Sequence, residues 1–211
     1  ANNQFNFASG LHVDISGNIY VADLLNHRVQ KWAPGAIEGT TVAGGNGAGA
    51  GANQLSSPQG IFVDTSGNVY IADSKNHRIQ KWAPGALEGT TVAGGNGIAE
   101  LSSVGAKDQS KLNNPLDVFV KPNGDIYIAD TQAYRIQKWA PGATEGVQIT
   151  GGTSENRVDK PSGIFISDLG DLYIVATEHY RIQKWELEGL RVSTVAGGNN
   201  IGNNANQLNS P

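Results

Sequence analysis

The sequence predicts an all-β fold, a β-propeller of four-stranded antiparallel blades, and three observations predict it. The phrase RVQKW or RIQKW recurs, ending at Trp32, Trp82, Trp139 and Trp185. Short runs of Val, Ile, Phe and Tyr bounded by Gly, Asn, Asp or Pro surround each copy, as in strands joined by tight turns. No segment places its apolar residues at the 3.6-residue helical period.

Within each unit the first strand is GLHVD from Gly10, GIFVD from Gly60, DVFV from Asp117 or GIFIS from Gly163. A turn and a second strand follow: SGNIYVAD from Ser16, SGNVYIAD from Ser66, NGDIYIAD from Asn123 and LGDLYIVA from Leu169. The tryptophan phrase is the third strand. After a turn rich in Pro and Gly comes the fourth: TTVAGG from Thr40 and Thr90, VQITGG from Val147 and STVAGG from Ser193. One domain is expected over residues 1–211, with blades at about 9–58, 59–115, 116–161 and 162–211. Length differences fall on the connection between the fourth strand and the next blade, where a surface loop tolerates them.

Composition narrows the partners. A formal net charge of -4 leaves no basic surplus for a phosphate backbone, so nucleic acid is not expected. The chain has no cysteine, which removes disulfides and thiolate metal sites, and no apolar run long enough to span a membrane. It contains no methionine, and Ala1 to Phe7 does not read as a signal peptide. The expectation is a processed, extracellular form or a segment of something longer.

The phrases NHRVQKW from Asn26 and NHRIQKW from Asn76 resemble the signature of NHL-repeat proteins, as do the preceding YVAD and YIAD ending at Asp23, Asp73 and Asp130. Units three and four depart: Ala133-Tyr134 and His179-Tyr180 replace Asn-His, and Ala176 replaces the aspartate. The resemblance implies a ring of blades around a channel, most often six, and no single activity.

Arg28, Arg78, Arg135 and Arg181 recur five positions after Asp23, Asp73, Asp130 and Ala176, so an ion pair across one hairpin is expected in three units. In the fourth, stacking on an aromatic ring would hold Arg181. His27 and His77 lie at the same turn, and their replacement by tyrosine argues for packing over metal ligation. Trp32, Trp82, Trp139 and Trp185 read as blade-to-blade core. Burying one removes about 150–250 Å² from water, an upper bound of ~4–6 kcal/mol.

Asp14 and Asp64, with Lys121 and Ser167 at the equivalent positions, are the weak candidates for a cation near the channel. No cofactor motif and no catalytic constellation is present. The expected function is a non-catalytic scaffold that binds protein or glycan or self-associates into a larger ring or polymer. A metal-assisted lyase or lactonase is the alternative, and RNA binding ranks last. The divergent loops Ile98 to Lys111 and Thr153 to Lys160 are the expected contact regions. First and last units keep an apolar outer face, so both ends of the repeat array are expected to be buried against something.

Overall fold

A computed structural model describes residues 4–102, 105–106, 108–151, 158–186 and 191–211. Blade 1 comprises β1 (Ala8–Val13), β2 (Ile19–Asp23), β3 (Arg28–Trp32) and β4 (Thr40–Gly44). Blade 2 comprises β5 (Pro58–Val63), β6 (Val69–Asp73), β7 (Arg78–Trp82) and β8 (Thr90–Gly94). A two-stranded hairpin, β9 (Leu101–Ser102) with β10 (Gly105–Ala106), lies in the connection to blade 3. Blade 3 holds β11 (Asp117–Val120), β12 (Ile126–Asp130), β13 (Arg135–Trp139) and β14 (Val147–Gly151). Blade 4 holds β15 (Pro161–Ile166), β16 (Leu172–Ala176), β17 (Arg181–Glu186) and β18 (Arg191–Gly197).

Each blade is an antiparallel meander in chain order. The second and third strands are joined by one turn of 3₁₀ helix, which ends at His27, His77, Tyr134 or Tyr180 in the left-handed region. Across that turn the register pairs Asp23 with Arg28, Asp73 with Arg78, Asp130 with Arg135 and Ala176 with Arg181. Among the described residues no helix is long and apolar enough to cross a membrane.

Because side chains alternate across a strand, every blade has two apolar faces. The trailing face of blade 1, Tyr20, Ala22, Val29 and Ala43, packs on the leading face of blade 2, Ile61, Val63, Val69, Ile71 and Trp82, with Leu55 from the connecting loop. Blades 2 and 3 repeat this core with Tyr70, Ala72, Ile79 and Ala93 against Val118, Val120, Ile126, Ile128 and Trp139. Blades 3 and 4 form it a third time. Turn glycines complete the fit: a Cβ on Gly89 would collide with the Trp82 indole, so the ring lies flat on the backbone.

The expectation that every tryptophan is core meets one correction. Trp82, Trp139 and Trp185 are buried, but Trp32 is half-buried because no blade covers the leading face of blade 1. Leu11, Val13 and Ile19 on that face are exposed. At the other end Tyr173, Val175, Ile182 and Ala196 of blade 4 are only half-buried, and Val195 is exposed. Among the described residues no hydrogen bond or ring contact joins blade 1 to blade 4, so the blades form an open arc.

Candidate functional site

The arginines do more than pair across a hairpin. Arg78 Nε donates to Asp73 Oδ2 at 2.7 Å, while its other nitrogens reach back to the carbonyls of Ala50, Gly51 and Gln54 in the preceding inter-blade loop. Arg135 does the same with Asp130 Oδ2 at 2.7 Å and the carbonyls of Asp108 and Lys111. Arg28 pairs with Asp23 at 2.8 Å and donates to Gln4 O. The other carboxylate oxygen of each aspartate accepts a backbone N–H from the same loop: Asn6, Ser56 and Asn113. Burial pushes the Asp73 and Asp130 carboxyls up from their ordinary value, and these hydrogen bonds and the guanidinium pull them back. One ion pair therefore fastens the later half of a surface loop to the blade that the loop enters.

In blade 4 this fastening is missing. Ala176 supplies no carboxylate, and among the described residues the buried Nε of Arg181 has no hydrogen-bond partner. The expected stacking is corrected too: among the described residues the ring-stacked cations are Lys31 over Tyr20, Lys81 over Tyr70 and Lys121 over Tyr127. Nearby, buried Asp159 accepts from His179 Nδ1 at 2.8 Å.

His27 and His77 each reach the next blade. His27 Nδ1 accepts the backbone N–H of Ser57 at 3.1 Å, and His77 Nδ1 accepts that of Asn114 at 3.0 Å. Burial, reinforced by Lys75, holds the His77 pKa below its ordinary value, which keeps the ring neutral and the nitrogen able to accept. Sequence placed these residues at a turn but gave no sign of the bridge, whose partners lie 30 and 37 positions away.

The opposite ends of the strands in the same two blades carry Asp14 and Asp64, at the turns after β1 and β5. They line a cavity of about 420 Å³ with His12, Phe62, Phe119 and Lys121. His12, Phe62, Phe119 and Phe165 occupy equivalent positions and their rings follow one another at 5.0, 5.0 and 5.8 Å. Asp14 Oδ1 accepts the N–H groups of Ser16 and Asn18, and Oδ2 accepts from Asn18 Nδ2 and Tyr20 Oη. Burial works against the charge, yet those hydrogen bonds hold the Asp14 carboxyl below its usual range. Asp64 has the same four donors in Ser66, Asn68 and Tyr70. Both carboxylates thus close hairpin turns, as Asx residues do. Among the described residues no cluster of three or more His, Cys, Asp or Glu could hold a metal ion.

One residue that sequence reasoning passed over breaks the symmetry of the innermost strands. Gly10, Gly60 and Gly163 are equivalent, and a Cβ on Gly10 would collide with the Gln59 carbonyl of the next blade. The third unit has Asp117 instead. Its Oδ2 accepts the Ile164 N–H of blade 4 and its Oδ1 the N–H of Val118, both at 2.9 Å. Burial pushes its pKa up to about 6. The departure from glycine in that column was the available signal.

Of the expected contact loops, residues 152–157 and 103–104 and 107 lie outside the described residues. In the rest, Ile98 bridges to Leu112, Asn113 Nδ2 donates to the Ala99 carbonyl, and Lys111 pairs with Asp108 at 3.3 Å. Lys160 pairs with Glu178 at the surface, and Val158 is buried in the core between blades 3 and 4.

The sequence model of the NHL repeat matches residues 55–82, the unit from Leu55 to Trp82. No curated protein matches the sequence. Among solved structures 319 chains match, one described as a streptogramin B lyase, which is 12% identical with a TM-score of 0.57. That match covers 89% of this chain and 53% of the lyase, so the chain spans about half the lyase's length. At that identity the likeness shows the fold alone. The matched unit is one of four packed four-stranded meanders, so the chain has a β-propeller fold and carries an NHL repeat within it.

Proposed function

We propose that the chain is a non-catalytic display scaffold whose inter-blade loops bind protein or glycan. The observation that carries this reading is the fastening of the loops that enter blades 2 and 3, and of the segment that enters blade 1, to Asp–Arg pairs with a buried carboxylate. Anchored at its end, a loop can change length and sequence without disturbing the blade. The stretch between Gly95 and Pro115 is longer than that between Gly45 and Pro58, yet Arg78 and Arg135 grip their loops alike. Binding residues belong on such loops, held by a rigid frame. The carboxylates near the channel are engaged in turns, which favours binding over reaction there.

A glycan array and a displayed peptide library, probed with the chain and with a variant carrying the 46–57 loop in place of 96–114, test this. Ligands of the parent should be lost by the variant while its β-sheet circular dichroism is retained. A parent without ligands, or ligands indifferent to the exchange, would defeat the reading. The lyase or lactonase alternative requires a bound divalent cation, which elemental analysis of the purified chain detects.

A further inference from the structure

We infer that the innermost strands hold a binding site for a small primary ammonium ion, seated on the Asp117 carboxylate. Asp117 stands where the other units have Gly10, Gly60 and Gly163, and its carboxylate straddles three blades. Its Oδ1 lies so close to Gly60 of blade 2 that a Cβ there would collide with it, and its Oδ2 accepts the Ile164 N–H of blade 4 at 2.9 Å. These partners belong to the junctions of blades 2, 3 and 4, which are complete within the chain. Asp117 lines a cavity of about 340 Å³, distinct from the one beside Asp14 and Asp64. Ser9 of blade 1, Gln59 of blade 2 and Ser162 of blade 4 line it too, each on the first strand of its blade.

A charge at this place calls for a partner. Tying one blade to the next takes none: between blades 2 and 3 the Leu116 carbonyl accepts the Gly60 N–H at 2.8 Å. A carboxylate surrounded by protein stands beside a cation or takes up a proton. Among the described residues Asp117 has no ion pair, and no other charged residue lines the cavity. Burial therefore pushes its pKa up to about 6, with only the Ile164 and Val118 N–H groups pulling it back. At neutral pH the carboxyl is still ionised, and the cation it lacks is left for a ligand to supply.

The acceptors decide which cation. Each carboxylate oxygen already accepts one backbone N–H, so the pair of oxygens is not free to take a guanidinium in a parallel fork. A divalent metal ion wants several oxygen ligands, and among the described residues no cluster of three or more His, Cys, Asp or Glu could hold one. An ammonium is a point donor with a few N–H groups to place. One goes to Asp117, and the Gln59 amide oxygen and the Ser9 and Ser162 hydroxyls are acceptors for the rest. Leu116 adds an apolar wall, which suits a short alkyl chain, and the volume suits a small molecule.

The test is a titration of the isotope-labelled 211-residue chain with n-butylammonium chloride at pH 7, followed by backbone amide resonances. Ionic strength is held constant with tetramethylammonium chloride, which carries the charge but no N–H. The Ile164 and Val118 amides, both bonded to Asp117, should shift together and saturate. Asp117→Asn keeps the shape and removes the charge, and Asp117→Gly restores the residue that the fold already accepts in three blades. Both should weaken binding by about tenfold or more with an unchanged β-sheet circular dichroism. A parent whose two amides never saturate overturns the inference, as does affinity that survives in either variant. Equal saturation by sodium or calcium chloride assigns the site to an inorganic ion and overturns it as well. Asp117 lies on an innermost strand and not on an inter-blade loop, so these outcomes are independent of the loop-binding screen.

Discussion

Blades 3 and 4 share the phrase RIQKW letter for letter, yet the arginine that opens it has two different fates. In blade 3, Arg135 is buried, pairs with Asp130 and grips a loop; in blade 4, Arg181 faces Ala176 and its Nε is left without a partner among the described residues. The difference lies five residues upstream, where Asp130 stands in one blade and Ala176 in the other, and not in the phrase itself. A repeat signature therefore specifies strand and register, while the chemistry at each copy depends on its neighbours in space.

The largest expected effect comes from making blade 3 resemble blade 4. Asp130→Ala leaves the buried Arg135 charge and the Asn113 N–H without their acceptor, and should cost about 3–5 kcal/mol in urea denaturation. Asp23→Ala should cost less, because the Arg28 side chain is 13% exposed and water can take over. Equal losses at the two sites would mean that burial does not set the scale.

A middle-sized effect is expected at the histidine bridge. His77→Ala strips the Asn114 N–H of its acceptor and should cost about 1–2 kcal/mol. Because the folded pKa of His77 lies below the unfolded one, its contribution is present above the unfolded value and is lost as pH falls through the folded one. Denaturation from pH 7 to pH 5 should show the parent converging on the variant. A gap that stays constant with pH would mean that what His77 contributes does not depend on its neutral Nδ1.

The smallest effect is the reverse exchange in blade 4. Ala176→Asp places a carboxylate opposite Arg181 and should stabilise by about 1 kcal/mol, seen as a higher urea midpoint with unchanged slope. A loss of stability would show that Asp159 and His179 have already taken over the electrostatics of that corner.

The strands, their order and the Asp–Arg pairs were legible in the sequence because they are local: alternation, turn residues and a five-residue spacing all act within one blade. Features that join one unit to another were not. The loop carbonyls held by Arg78 lie 24 to 28 residues upstream, and the backbone N–H groups bound by His27 and His77 belong to the next unit. The saturation of Asp14 and Asp64 is an exception in principle, since SGN after aspartate spells an Asx turn, but their position near a channel drew attention to charge before geometry. Trp32 is a further lesson: its sequence context matches Trp82, and only the missing neighbour leaves it half-covered.

Asp117 sets a rule for anyone rearranging these units. Its carboxyl fills the gap that Gly60 leaves open, so close that a side chain on Gly60 would strike Oδ1. Two copies of unit three cannot stand side by side, because the second aspartate would need a glycine where the first already has a carboxyl group. Unit two, with glycine in that column, can be duplicated at will. Arrays engineered from this chain should grow by copying the second unit and should carry the third only after a glycine-bearing one.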